Sequence, residues 1–205
     1  MIEDYRLLSG DEVKELLGEL LDRLARRGTE VEAYIVGGAA VAIHLGRDEV
    51  TPDVDGLFRP ELEVLEEAAV MAQEHGLAPD WVNTRAVPFL QFDIAGDTEA
   101  LHTTLRGRPV VVASKKALLA MKIAAYRPKD RPDLDRLIDD LDMYDPDEIV
   151  KVVVDLFGED SVVAPNDPEE LQLLAREAVH RAELARARRA SREDEMASDE
   201  EGPST

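Results

Sequence analysis

Asp53 and Asp55 are separated by a single valine, and Gly37 and Gly38 stand together sixteen residues upstream, at the end of the apolar run "EAYIV". On a strand, residues two apart project to the same face, so the two carboxylates are expected side by side. Like charges at that distance require solvent or a cation between them. Mg2+ fits this need, since it prefers oxygen ligands and commonly bridges carboxylates to phosphates. A Gly-Gly turn between a strand and a helix removes two Cβ atoms, so backbone N–H groups near the positive helix end can approach a phosphate. A tight turn and a solvated acidic strand face are the simpler readings of the same residues. Asp93, between apolar residues of "QFDIAG", adds weight to the first interpretation. An unpaired carboxylate there is costly if buried. If its strand lies beside that of Asp53 and Asp55, the three acids suit phosphoryl chemistry on metal ions, with one carboxylate as base toward an attacking hydroxyl.

These residues need a scaffold, and the chain has the length and composition for one. With 205 residues, 44% of them hydrophobic, it can bury one sizeable core, and we expect a compact unit of two lobes. Ser9 and Glu12 open a helix over 10–27, whose leucines at 16, 17, 20, 21 and 24 keep helical spacing. "EAYIVGG" is a strand ending in glycines, "GAAVAIHL" a buried helix, "DVDGLFR" a second strand, and Pro60 opens a helix through about residue 74. Residues 87–96 and 108–114 read as further strands joined by a polar, exposed connection. From Ser114 on, four helical segments follow, with Ser114, Asp145 and Asp167 as N-caps. This gives an α/β lobe over 1–113, a helical lobe over 114–191 and an acidic tail over 192–205 that is expected to be disordered.

Charge and cysteine content narrow the chemistry. A net charge of −21 argues against a protein that coats nucleic acid, because that affinity comes from Lys and Arg neutralising phosphates. Without cysteine there is no disulfide, thiolate nucleophile or Cys-ligated zinc. Four scattered histidines do not make a zinc site, and no Gly-x-Ser-x-Gly elbow occurs. His44 reads as a packed histidine, and Trp81 as an anchor at the lobe interface. The acidic, amphipathic N-terminus lacks a basic n-region and a spanning apolar run, so a cytoplasmic protein without membrane contact is expected. Arg176, Arg181, Arg186, Arg188, Arg189 and Arg192 make the last helix locally basic. It either offers RNA a local contact or pairs with acidic neighbours of its own chain.

The run "GGAAVAIHLGRDEVTPDVD" resembles the signature of the nucleotidyltransferase superfamily, the polymerase-beta-like fold. More narrowly, Gly37, Gly38, Ala40, Arg47, Thr51, Asp53 and Asp55 are similar to the pattern of the AbiEii/MenT-like nucleotidyltransferase toxins and their relatives. "MKIAAYRPKDRPDLDRL" looks like the lysine motif of that group. The resemblance covers residues 34–137. It implies a small mixed-sheet minimal nucleotidyltransferase lobe followed by an all-helical lobe, with Mg2+ on Asp53 and Asp55, to which the residue reading above adds Asp93. It implies Gly37, Gly38, Arg47, Thr51 and Lys122 around an NTP, Arg127 as an accompanying base, and Asp133 or Asp130 as the later acid. Lys122 stands beside a stripe of Leu118, Leu119, Met121 and Ala125, where a lysine either reaches phosphates across a cleft or snorkels as an ordinary surface residue. The implied reaction moves an NMP from an NTP to an acceptor hydroxyl and releases pyrophosphate. A tRNA 3' end is the implied acceptor, and a cognate antitoxin the implied partner. An antibiotic or protein hydroxyl as acceptor, or a catalytically idle binding module, are the alternatives.

Overall fold

The computed structural model describes residues 5, 7–46, 51–159, 161–165 and 167–200, with side chains through 191. It is mixed α/β and divides into two compact units, residues 1–118 and 119–205. In the first unit, α1 (Gly10–Arg26) starts at a capping box: the Ser9 hydroxyl accepts from the Glu12 N–H, and the Glu12 carboxylate accepts from the Ser9 N–H. Such a cap contributes about 1 kcal/mol. Val13, Leu16, Leu17, Leu20, Leu21 and Leu24 are all buried along one side of α1, each burial worth about 1.5–3 kcal/mol. Basic Arg23 and Arg26 fall in the last turn, where they suit the negative helix end.

The sheet has the order β3-β2-β1-β5-β4, with β1 Glu32–Val36, β2 Val54–Arg59, β3 Val82–Asn83, β4 Leu101–Leu105 and β5 Arg108–Val112. β1 runs antiparallel to β2 and parallel to β5; β2 and β3 are parallel, β4 and β5 antiparallel. Between β1 and β2 lies α2 (Gly37–Leu45), and after β2 comes α3 (Glu61–His75). Register places Asp55 opposite Val36 on one side and Asn83 on the other. Leu8, just ahead of α1, bridges to Thr51 and donates its N–H to the Thr51 carbonyl at 2.9 Å. This bridge ties the approach to β2 to the segment ahead of α1.

The strand expected over residues 87–96 does not form. Two short 3-10 turns, Val87–Phe89 and Ile94–Gly96, stand in its place. Pro88 has no N–H for a ladder, and the Asp93 side chain accepts from Ala95 N–H at 3.0 Å, which favours a turn. The outer strand is instead β4, in the segment read as a polar connection. It is an edge strand with mostly exposed side chains, joined to β5 by Arg106 and Gly107, both at positive φ. Asp97 ties the turn region to the sheet: its buried carboxylate accepts from the Tyr34 hydroxyl at 2.7 Å and from the Ser114 N–H at 2.9 Å. Burial and this bond together push the Tyr34 hydroxyl's pKa well up. Trp81, expected at a lobe interface, is fully buried within the first unit, where its indole N–H donates to the Ala68 carbonyl of α3.

Four helices follow β5: α4 (Lys115–Ala125), α5 (Arg131–Asp140), α6 (Pro146–Phe157) and α7 (Pro168–Glu200). The three expected N-caps are present: Ser114 accepts from Ala117 N–H, Asp145 from Asp147 N–H and Asp167 from Glu169 N–H. α7 packs on α5 and α6. It continues through residues 192–200, assigned above to a disordered tail, while 201–205 lie outside the described residues.

Candidate functional site

The first-unit site grows from the junction of β1 with α2. Gly37 takes φ +67°, and a Cβ on it would lie 3.0 Å from Asp55 Oδ2. A side chain is therefore disfavoured there twice, by backbone conformation and by the carboxylate. A Cβ on Gly38 would lie 3.2 Å from the Thr51 hydroxyl. The glycine pair thus brings the N-terminus of α2 against Asp55 and Thr51. The N-cap residue Val36 offers no side-chain cap to the first turn of α2.

Asp53 lies one residue ahead of β2, and Asp55 is the strand's second residue. Both are half-buried, with the fully buried Val54 between them. This alternation places the two acids on one face, as the spacing predicts. Asp53 Oδ1 accepts from the Thr51 hydroxyl at 2.8 Å, and Oδ2 accepts from the Asn83 amide at 3.2 Å. Arg85 Nη1 lies 3.8 Å from Oδ2 on a side chain that is 60% exposed. The same guanidinium donates to Asp80.

Asp93 does not join this pair. Its expected place was a strand beside β2, but β2 has β1 and β3 as neighbours, and Asp93 is exposed at its 3-10 turn. The residue next to Asp53 is Asn83. Its two-residue strand has no apolar period to reveal it in the sequence. Among the described residues, the one group of three side chains close enough to share a metal is Glu19, Glu74 and His75. There Arg23 already sits on both glutamates, 2.5 Å from each.

The donor chemistry at Asp53 and Asp55 fits Mg2+. Two carboxylates from one strand face supply hard oxygen ligands, and the missing Cβ of Gly37 lets the start of α2 come close to Asp55 Oδ2. Two protein carboxylates with the remaining positions left to phosphate and water is the usual form of such a site.

Of the expected nucleotide contacts, Arg47 lies outside the described residues. Thr51 is 7% exposed and spends its hydroxyl on Asp53, so it orients a carboxylate. His44 is packed as expected, with Nε2 2.8 Å from the Ala113 carbonyl.

In the second unit, Lys122 is neither a snorkelling surface residue nor an open cation. It is 5% exposed, with Nζ 3.0 Å from Asp130 Oδ1 and 2.9 Å from Asp133 Oδ2. The two alternatives for the later acid are thus both partners of one lysine. Arg127 Nε donates to the other oxygen of Asp130 at 2.6 Å. Burial works to raise the Asp130 pKa, but Lys122 and Arg127 outweigh it and hold the carboxyl below the usual range. The basic helix pairs with its own chain: Arg181 with Asp135, Arg189 with Asp139, and Arg186 with Asp139 and Asp142.

No family model matches the chain, and no curated protein matches it. Among solved structures, an antigenic nucleotidyltransferase-like protein from Paracoccidioides brasiliensis is similar over 85% of this chain and 90% of its own, at 15% identity and a TM-score of 0.45. No helix among the described residues is long and apolar enough to cross a membrane.

Proposed function

We propose that the chain is a nucleotidyltransferase that binds a nucleoside triphosphate with Mg2+ at Asp53 and Asp55. The observation that carries this reading is a Gly-Gly helix start packed against two acids on one strand face, the first held by neutral donors. Asp53 and Asp55 would hold the metal, whose chemistry is to neutralise the triphosphate. The first N–H groups of α2 then receive a phosphate oxygen in place of a capping side chain. In the transfer, the acceptor oxygen bonds to the α-phosphorus while the bond from that phosphorus to the bridging oxygen breaks. Pyrophosphate leaves, and a carboxylate of the pair takes the hydroxyl proton.

A tRNA 3' end as acceptor, within a toxin-antitoxin pair, is the finer proposal drawn from the sequence resemblance. Incubation of the protein with Mg2+ and each labelled NTP, with and without total tRNA, tests both levels, using Asp55→Ala as control. Label on tRNA that disappears in the variant supports the whole proposal. Mg2+-dependent NTP binding without label on tRNA keeps the site and replaces the acceptor with a protein or small-molecule hydroxyl. Absence of NTP binding overturns the reading.

A further inference from the structure

Asn83 is the residue beside the acidic pair that no spacing rule singles out, and its hydrogen bonds are directional. It is buried at 6% exposure at the end of β3, in register with Asp55. Its Oδ1 accepts from the Arg85 N–H at 3.1 Å. With the carbonyl end fixed by that backbone donor, the NH2 end must face Asp53, where it donates to Oδ2 at 3.2 Å, with the Asp80 carbonyl as a longer second acceptor at 3.5 Å. On the other oxygen of Asp53, Thr51 does the same from the opposite side. Both donors are neutral. They fix the plane of the carboxylate without bringing a charge of their own; the exposed Arg85 guanidinium stands farther off, with Nη1 3.8 Å from Oδ2. A lysine or arginine at position 83 would orient Asp53 equally well but would cancel the charge that attracts a cation.

We propose that Asn83 is a positioning residue for Asp53, an outer partner that aims one carboxylate of the cation site. This rests on the reading of Asp53 and Asp55 as a divalent-cation pair. Outer hydrogen-bond partners of metal ligands typically change metal affinity by tenfold or more when removed. A purely structural role, stitching the turn between Asp80 and Arg85, would move stability and leave cation affinity alone.

The test uses Mn2+ as probe, with titration calorimetry on the full chain and thermal melts with and without the ion. Asn83→Leu keeps volume and removes the donor; it is expected to bind Mn2+ about tenfold more weakly than the wild type. Asn83→Asp places a third carboxylate against Asp53, and its melting temperature is expected to fall in the absence of Mn2+ and to recover more on adding the ion than the wild type gains. A folded Asn83→Leu protein with wild-type affinity overturns the proposal. If that variant does not fold, Asn83→Asp decides: an equal loss of melting temperature with and without Mn2+ assigns Asn83 to the turn alone. A wild type that binds no Mn2+ removes the cation reading itself, a failure visible before any substitution is made.

Discussion

Two acidic groups in this chain are built on opposite electrostatic plans. In the second unit, Asp130 and Asp133 close on a buried Lys122, with Arg127 completing Asp130, so that carboxylates and cations balance within the cluster. In the first unit, Asp53 is oriented by a hydroxyl and an amide, and among the described residues its guanidinium partner, Arg85, stands at 3.8 Å on an exposed side chain. A carboxylate aimed by neutral donors, with only a long, solvent-exposed cation contact, is suited to taking a ligand, whereas one matched to a buried ammonium holds helices together. Charge pairing separates a candidate site from a scaffold where sequence motifs present both as sites.

The largest effect should come from breaking the scaffold side of this contrast. Lys122→Met removes the buried ammonium shared by Asp130 and Asp133, leaving Asp130 with Arg127, a change that costs about 3–5 kcal/mol. Chemical denaturation followed by circular dichroism is expected to show that loss. Mn2+ binding at the first unit, measured at a temperature where the variant is folded, is expected to stay at the wild-type level. Retained stability together with lost NTP affinity would return Lys122 to the phosphate contact that the sequence motif implies, and the contrast would collapse.

Next in size is Gly37→Ala. Strain at φ +67° costs about 1–2 kcal/mol, and the new methyl meets the Asp55 carboxylate as well. Gly46→Ala is the matched control: the residue has φ +60° with open space around it. Gly46→Ala should lose only that strain, about 1–2 kcal/mol, without altering Mn2+ binding, whereas Gly37→Ala should lose more and weaken the ion. Equal effects in the two variants would reduce the glycine pair to a tight turn.

How much of this was legible in sequence follows from where local pattern and tertiary context agree. The capping box at Ser9, the leucine stripe of α1, the strand ending in Gly37 and the three later N-caps are local devices, and each forms where the pattern predicts. Asp53 and Asp55 share a face because two-residue spacing requires it. The failures lie where the apolar pattern misleads or is absent. Residues 87–96 carry strand-like apolar residues, yet Pro88 and the Asp93 cap turn them, and this removes the third acid from the predicted metal set. β4 and β3 are an exposed edge and a two-residue strand, which carry no core-facing alternation. Asn83 enters the site only through β2–β3 pairing, a contact that no short window contains, while Lys122 and its partners Asp130 and Asp133 stand in one short run whose fold, not its spacing, buries the lysine.

A smaller effect concerns acid. The folded pKa of Asp130 is depressed, so its stabilising contribution is complete above the unfolded value, about 4, and is lost as pH falls through the lower folded value. Asp135 acts in the opposite direction, since burial raises its pKa above the unfolded value despite Arg181. Thermal melts from pH 7 down to 3 should show stability falling below about pH 4, with a shallower fall in Asp130→Asn. An unchanged slope in that variant would mean that Lys122 is not balanced by Asp130, and the scaffold half of the comparison would lose its electrostatic basis.

The smallest change in stability is expected at the residue with the largest consequence for binding. Asp53→Asn keeps the shape of the side chain, and its amide oxygen can still accept from the Asn83 amide while its NH2 donates to the Thr51 hydroxyl, an arrangement that costs about 0.5 kcal/mol. It also removes one of two like charges on the same strand face, which offsets part of that loss. Mn2+ titration and Mg2+-dependent NTP binding should nevertheless fall by at least tenfold, because an amide oxygen lacks the charge that draws a divalent ion. This dissociation is what the contrast requires: at Lys122 stability depends on charge and binding does not, and at Asp53 the dependence is reversed. Trp81, the chain's single tryptophan and fully buried in the first unit, reports whether that unit is intact in the variant. An Asp53→Asn protein that unfolds early by Trp81 fluorescence would place Asp53 with Asp130 and Asp133, as a carboxylate that holds the fold.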